Sequence, residues 1–177
     1  FNEPYSLRLT GALNELALER SFEALHQRHG VLCATYQLRD SGLVQIITPP
    51  PSFHLPLIDL HALPAAAREE EARRLARSEA LRPYDLTQGP VLRLRLVRLE
   101  ANDHLLIIII HHIAADHGSI AIFLRELVTL YPAFAANQQP SVSPETLLPA
   151  LPLQYTDFAR WQRTWLQDQN LERLLSY

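Results

Sequence analysis

The chain of 177 residues contains no lysine and no methionine, and it has a single cysteine, Cys33. One cysteine excludes an internal disulfide and a cysteine-rich zinc site, so a reducing cytoplasm is the expected compartment. The longest unbroken apolar run, residues 105–110, is too short to cross a bilayer, and no N-terminal stretch is typical of a signal peptide. A formal net charge of −3 without long basic runs argues against a nucleic-acid binder. The absent methionine suggests a piece of a larger polypeptide.

Apolar residues make up 47% of the chain, which is enough for one domain with a hydrophobic core or for one lobe of a larger domain. Hydrophobic periodicity predicts both strands and helices, connected largely as hairpins, and therefore an α+β fold. The predicted strands are 5–9, 31–38, 43–48, 55–60, 91–99 and 105–110. The predicted helices are 14–29, 65–81, 119–134 and 155–175.

Local signals refine this outline. Asn14 is expected to cap the first helix and Gly30 to follow its end as the C′ residue. Residues 39–42 are expected to form a turn, 49–51 to break the chain, and 137–153 to form a proline-rich loop. Trp161 and Trp165 lie four residues apart and are expected to pack internally. Cys33 is expected to be a packed core thiol without a catalytic role.

The sharpest feature is a pair of histidines, His111 and His112, directly after the most apolar strand. Loops at the ends of buried strands often carry catalytic groups, and imidazole exchanges protons near neutral pH. Successive strand residues point to opposite faces, so at most one of the two faces a given pocket. Asp116 is close enough to orient the loop backbone or to pair with an arginine, and Ser119 is expected to cap the next helix.

Three other interpretations of this segment remain open. In the first, the two histidines are ordinary polar residues at the end of a strand. In the second, a zinc ion is bound by His111, His112, Asp116 and His117, although the helical histidine spacing of metalloproteases is missing. In the third, His111 and Asp116 form the His-x4-Asp pattern of glycerolipid acyltransferases, which usually act at membranes.

The segment from His111 to Leu127 resembles the central motif of the condensation domains of nonribosomal peptide synthetases, His-His-x-x-x-Asp-Gly followed by serine and Arg-Glu-Leu. Three further segments resemble family motifs in the family's order. They are Arg28-His29 with Leu32 and Tyr36, then Pro83-Tyr84-Asp85-Leu86 with Gly89-Pro90 and Leu92-Arg93, and finally Tyr155-x-Asp157-Phe158-Ala159-x-Trp161-Gln162.

This resemblance implies a chloramphenicol-acetyltransferase-like lobe, with a central mixed or antiparallel sheet flanked by helices. Condensation domains join two such lobes around a tunnel, where donor and acceptor carrier proteins present phosphopantetheine thioesters as substrates, and they bind no cofactor or metal directly. The acceptor amine attacks the donor thioester to form a peptide bond. By resemblance, His112 is the catalytic base or stabilises the charged intermediate. Asp116 holds the loop through an ion pair, and His111 is a supporting residue.

The chain also departs from the family pattern. His117 occupies the position of the motif glycine, with Gly118 one residue later, and histidine does not easily adopt a positive φ. Gly30, Cys33 and Ala34 replace the glutamate, arginine and threonine of the earlier motif. These changes support an alternative, in which the domain is catalytically impaired and recruits carriers, or is an ester-forming or epimerising relative. The family's first motif would precede Phe1 and its second lobe would follow Tyr177, so residues 1–177 are interpreted as the N-terminal lobe.

Overall fold

The computed structural model describes residues 1–40, 42–48, 52–136 and 144–176. The predicted turn at Ser41, the break at 49–51 and the first half of the 137–153 loop fall outside these residues. The strands are β1 (Asn2–Thr10), β2 (Ala34–Arg39), β3 (Gly42–Ile47), β4 (Leu57–Asp59), β5 (Leu92–Glu100) and β6 (Asp103–His111). The helices are α1 (Glu15–Arg28), α2 (Ala65–Leu81), α3 (His117–Ala136), α4 (Pro144–Leu147), α5 (Tyr155–Trp165) and α6 (Asp168–Leu175).

A four-stranded mixed sheet in the order β1-β6-β5-β4 forms the centre of the fold. β6 is antiparallel to both β1 and β5, and β4 runs parallel to β5 at the edge. β6 lies inside the sheet with helices on both faces, and its residues 106–110 are at most 2% exposed. This position explains why β6 is apolar on both faces rather than alternating. The α+β prediction is confirmed.

Each face of the sheet has its own hydrophobic core. α1 and α3 cover one face, where Phe22, Leu25, Phe123 and Leu130 pack on the even-numbered residues of β6. α2 covers the other face with Ala72 and its neighbours, against Ile107 and Ile109. Because successive side chains of β6 point to opposite faces, they contribute to two separate cores. α1 begins as predicted, because Asn14 Oδ1 accepts a hydrogen bond from the Ala17 N–H at 3.0 Å.

The predicted hairpin of β2 and β3 forms, but as a separate two-stranded sheet. Its first strand begins later than expected, since residues 30–33 form a turn of 3₁₀ helix that buries Leu32 and Cys33. Gly30 follows the α1 cap but starts this turn, and it is not among the glycines with positive φ. Gly30 is therefore the C′ residue of α1 as predicted, since His29 is the C-cap, but it takes this position without a left-handed backbone.

The C-terminal region differs from the single helix predicted over 155–175. α5 ends at Trp165 with Leu166 as its C-cap, and Gln167, which has an extended backbone, is the N-cap of α6. Trp161 is 55% exposed and Trp165 is 37% exposed, so the expectation that they pack internally was wrong. Their rings stack on each other with centroids 5.7 Å apart. The aromatic side chains of α5 therefore contact one another on an exposed face of the helix. In the described part of the predicted 137–153 loop, the structure contains the short helix α4.

α3 is the single helix, among the described residues, that is long and apolar enough by composition to span a membrane. Its inward side chains Phe123, Leu127 and Leu130 are part of the core shared with α1. That packing is typical of a core helix in a globular fold.

Candidate active site

Backbone hydrogen bonds fix the positions of both histidines at the end of β6. The His111 N–H donates to Val91 O, and the His112 N–H donates to Phe1 O, both at 2.9 Å. The residues just before β1 and β5 therefore hold the two histidines from opposite sides of β6. Since adjacent strand residues alternate, His111 lies on the α2 side of the sheet and His112 on the side of α1 and α3. The prediction that the pair diverges agrees with this geometry.

The ring of His112 is oriented by the loop that follows it. Its Nδ1 lies 3.0 Å from the carbonyl oxygen of Ala115. A carbonyl only accepts hydrogen bonds, so Nδ1 carries the hydrogen and Nε2 is left as the proton acceptor. The side chain is 49% exposed. Since no described residue hydrogen-bonds to Nε2, the geometry presents an available imidazole nitrogen at the end of a rigid strand, which is what a general base requires.

His111 has a different environment. Its Nδ1 accepts a hydrogen bond from the Ile113 N–H at 3.0 Å, which tightens the turn after β6. Its ring meets the edge of the Tyr84 ring at a centroid distance of 5.4 Å and an angle of 88°. Burial lowers the pKa of His111 and so favours the neutral form that accepts this bond. His111 shapes the loop from the face opposite His112.

Asp116 caps helix α3. Its Oδ1 accepts hydrogen bonds from the Ser119 N–H at 2.8 Å and from the Ser119 hydroxyl at 2.6 Å. The hydroxyl bond is the larger cause that lowers the pKa of Asp116, followed by the bond from the N–H. No arginine lies within ion-pair distance of Asp116 among residues 1–136 and 144–176 that are described. Within the described residues Asp116 therefore acts as a helix cap, and the cap belongs to Asp116 rather than Ser119. Its ion pair stays a prediction.

His117 and Gly118 form the first turn of α3 and are exposed. His117 has a helical backbone, so the position of the motif glycine needs no positive φ here. A Cβ on Gly118 would lie 3.5 Å from Asp116 Oδ1, an ordinary contact. In the described part of the chain no hydrogen bond or ring contact joins His117 to His112. The histidine therefore replaces glycine without straining the loop or covering the proposed base.

A small cavity of about 200 Å³ lies behind the histidine loop. Ala114 and Ala115 form one wall, Ile120 and Phe123 of α3 another, and His29 contributes a polar group. His112 is not part of its lining. Among the described residues, no group of three or more histidine, cysteine or acidic side chains is arranged to hold a metal ion.

A buried ionic cluster joins two of the sequence motifs. Glu126 of α3 accepts a hydrogen bond from Arg28 Nε at 3.1 Å and lies 2.6 Å from His29 Nε2. Gln154, just before α5, connects a third motif, because its Nε2 donates to Arg28 O at 2.9 Å and its Oε1 accepts from the Gly30 N–H at 3.2 Å. The cluster fixes α1, α3 and α5 relative to one another. Sequence reasoning found the motifs but not this connection.

The loop before β5 supports the histidines from the other face. The Tyr84 hydroxyl donates to Ile109 O at 2.6 Å, and the guanidinium of Arg93 lies 3.7 Å from the centre of the Tyr84 ring. Burial raises the pKa of Tyr84 to about 12, which keeps the phenol protonated as a donor. Gly89 has φ +68° and packs so closely on Thr35 that a Cβ would lie 3.2 Å away.

Cys33 takes no part in the site. It is 9% exposed, its Sγ lies 3.5 Å from His26 O, and burial raises the pKa of the thiol. A buried thiol with a raised pKa is a poor nucleophile, which agrees with its expected packing role.

The model of the condensation domain family matches residues 1–177, and the chain belongs to this family. It is 44% identical to a linear gramicidin synthase protein from Brevibacillus parabrevis over 99% of the chain and 3% of that protein. It is 41% identical to chondramide synthase from Chondromyces crocatus over 100% of the chain and 4% of that protein.

Solved structures confirm the chloramphenicol-acetyltransferase-like fold. The cyclization-docking bidomain of EpoB from Sorangium cellulosum is 26% identical with a TM-score of 0.81, over 99% of this chain and 32% of that one. The X-domain from teicoplanin biosynthesis is 28% identical with a TM-score of 0.77, over 93% of this chain and 34% of that one. The chain thus spans about a third of these solved chains and a few per cent of the synthases.

Proposed function

We propose that this chain is the histidine-bearing N-terminal lobe of a condensation domain that forms amide bonds between carrier-bound substrates. One observation carries the proposal: His112 stands at the end of a buried strand, its Nδ1 is committed to Ala115 O, and its Nε2 has no hydrogen-bond partner in the described part of the chain. The family membership supports it, since related chains are parts of peptide synthases. Both lobes are needed for this reaction, so residues 1–177 alone are expected to show negligible turnover.

The proposed reaction joins two phosphopantetheine thioesters. The α-amine nitrogen of the acceptor attacks the thioester carbonyl carbon of the donor, a C–N bond forms, and the C–S bond breaks with the electron pair leaving on sulfur. Nε2 of His112 takes the proton that the attacking nitrogen loses, and the imidazolium then returns this proton, directly or through solvent, to the departing thiolate. His112 thus acts as the base without any cofactor bound by this lobe.

The other residues of the site act by positioning His112. Asp116 caps α3 and thereby fixes the carbonyl of Ala115 that orients the ring. His111 holds the turn from the opposite face, while His117 and Gly118 form the first exposed turn of α3. We assign these four residues, His111, Asp116, His117 and Gly118, supporting roles.

The partners follow from the same proposal. Donor and acceptor carrier proteins deliver the two thioesters, and the second lobe and the adjacent synthetase domains complete the tunnel. The reaction belongs to secondary-metabolite or antibiotic synthesis by a cytoplasmic synthetase that requires neither a membrane nor nucleic acid.

The decisive experiment replaces His112 by alanine in the full-length protein and measures product after both carriers have been loaded. We expect product to be lost by about 10²-fold or more while thioester loading of both carriers persists. His61→Ala serves as a matched control, because His61 is an exposed histidine that follows the edge strand β4. Unchanged product formation by His112→Ala would exclude His112 as the base.

A second candidate function is carrier docking or recruitment without chemistry. The specific observations are His117 at the motif glycine position and the similarity to the teicoplanin X-domain, which has been solved in complex with OxyB. The same assay separates the two functions. A full-length protein that binds loaded carriers but forms no amide or ester, both as wild type and as His117→Gly, would establish recruitment.

A further inference from the structure

The pairing of β1 with β6 brings an acidic side chain next to His112. The register pairs Asn2 with His111 and Glu3 with Ile110. Glu3 is therefore the diagonal cross-strand neighbour of His112 and lies on the same face of the sheet. Diagonal neighbours are about 7–8 Å apart at the backbone, which long side chains bridge. The two residues are far apart in sequence, so only the register reveals the pair.

The side chains do meet. Glu3 Oε1 lies 3.6 Å from His112 Nδ1, the nitrogen that also donates to Ala115 O. The Glu3 side chain is 30% exposed, so its charge is only partly screened by solvent. The carboxylate thus approaches the protonated nitrogen and leaves Nε2 unobstructed.

Among the described residues, Glu3 has no arginine within ion-pair distance. The chain has 16 arginines, and several of its acidic residues pair with them, as Glu126 does with Arg28. In the described residues, His112 is the single basic side chain within ion-pair distance of Glu3. Tyr5 lies two residues further along the same face, where burial and then the negative charge of Glu3 raise the pKa of the phenol. The charge of Glu3 is thus directed at His112 without a competing cation.

We propose that Glu3 is a positioning residue that stabilises the imidazolium form of His112 as it takes a proton at Nε2. The inference rests on the proposed function of His112 as the base. When Nε2 gains a proton, the ring becomes positive, and a carboxylate 3.6 Å away favours that charge. The Ala115 carbonyl orients the ring, and Glu3 supplies the opposite charge.

The test replaces Glu3 by glutamine in the full-length protein and measures condensation of preloaded carriers. We expect kcat to fall about threefold to fivefold with KM unchanged, the size expected for a half-exposed charge pair. Glu3→Asp should recover part of the loss. The difference from wild type should narrow at high salt, because added ions screen an exposed pair. A purely structural role for Glu3 would not depend on salt in this way.

Glu70→Gln is the matched control, because it removes the same charge from an exposed position on α2. An unchanged kcat in Glu3→Gln would overturn the role of Glu3, and so would a loss that is equal at low and high salt. His112→Ala separates this failure from that of the proposed function. If His112→Ala is inactive while Glu3→Gln is fully active, only the inference about Glu3 is wrong. If His112→Ala is active, the assignment of the base itself is wrong.

Discussion

His29 Nε2 lies 2.6 Å from the carboxylate oxygen of Glu126, in a pair that joins the end of α1 to the middle of α3. The glutamate side chain is 7% exposed, and Arg28 approaches its other oxygen. A carboxylate buried this deeply is tolerated because both oxygens have charged or hydrogen-bonding partners. The motif residues Arg28 and His29 thus attach α1 to α3, the helix that follows the histidine loop.

Glu126→Gln is expected to lower the free energy of unfolding by about 2–3 kcal/mol, because it leaves the buried guanidinium of Arg28 without a counter-charge. Urea unfolding of the purified chain measures this change. Glu70→Gln, at an exposed site, should stay within about 0.5 kcal/mol of wild type. A loss of the same small size in both variants would show that the buried cluster contributes nothing.

Acid is expected to destabilise the chain through His104. This side chain is 2% exposed, and neither ring nitrogen has a hydrogen-bond partner among the described residues. Burial lowers its pKa, while Glu15 at 3.9 Å opposes the shift; Asp103 and Asp59 also oppose it, and Arg98 reinforces it. The folded state therefore favours the neutral ring, and its contribution is fully present above the unfolded pKa of about 6.5.

Stability should consequently fall as the pH drops below about 6.5, by at most about 1.4 kcal/mol per pH unit for each such histidine. His104→Leu should flatten this acid limb, because leucine does not titrate. Urea midpoints between pH 8 and pH 5 measure the effect. His26 and His111, whose pKa values burial also lowers, are expected to leave a residual slope. A variant as acid-sensitive as wild type would assign the slope to other groups.

Asp116→Ala is expected to destabilise the first turn of α3 and to slow the reaction. The Ser119 N–H loses its acceptor, so the first turn of α3 frays and the Ala115 carbonyl no longer orients His112 firmly. The thermal midpoint should fall by about 2–4 °C, and kcat should fall more than KM changes. Asp116→Asn retains an acceptor and should recover most of the loss. Full activity in Asp116→Ala would disprove a positioning role.

Both tryptophans of the chain are on α5, and their exposure gives a direct optical test. We expect red-shifted tryptophan emission that a neutral quencher such as acrylamide reduces efficiently in the folded chain, because Trp161 and Trp165 are both solvent-accessible. Trp161→Ser should change the free energy of unfolding by about 0.5 kcal/mol or less. Emission that is blue-shifted and protected from the quencher would indicate that a partner covers this helix face.

Much of the fold follows from local patterns. The bounds of α2 were predicted to the residue, and the interior position of β6 followed from its apolar character on both faces. Predictions failed where tertiary contacts decide the outcome. Residues 31–33 were predicted to belong to a strand, yet with Gly30 they form a 3₁₀ turn that buries Leu32 in the core. The helix predicted over 155–175 divides at Gln167, a break that its helix-like composition does not indicate.

The candidate site divides in the same way. His111, His112 and Asp116 stand in one short segment, so spacing and motif resemblance were enough to find them. Spacing did not reveal that Asp116 is a helix cap, because a carboxylate serves equally well as a cap or as an ion-pair partner. That His117 needs no left-handed backbone also depends on where α3 begins.

The amino-acid sequence by itself determined the family, the α+β class and the pair of histidines at the end of a buried strand. These features depend on residue type and local order, which the sequence states directly. Only the tertiary structure decided that Ala115 O holds Nδ1 of His112, that Glu126 joins three motifs, and that Glu3 lies beside the proposed base. These are contacts between distant residues, and strand register and helix packing determine them.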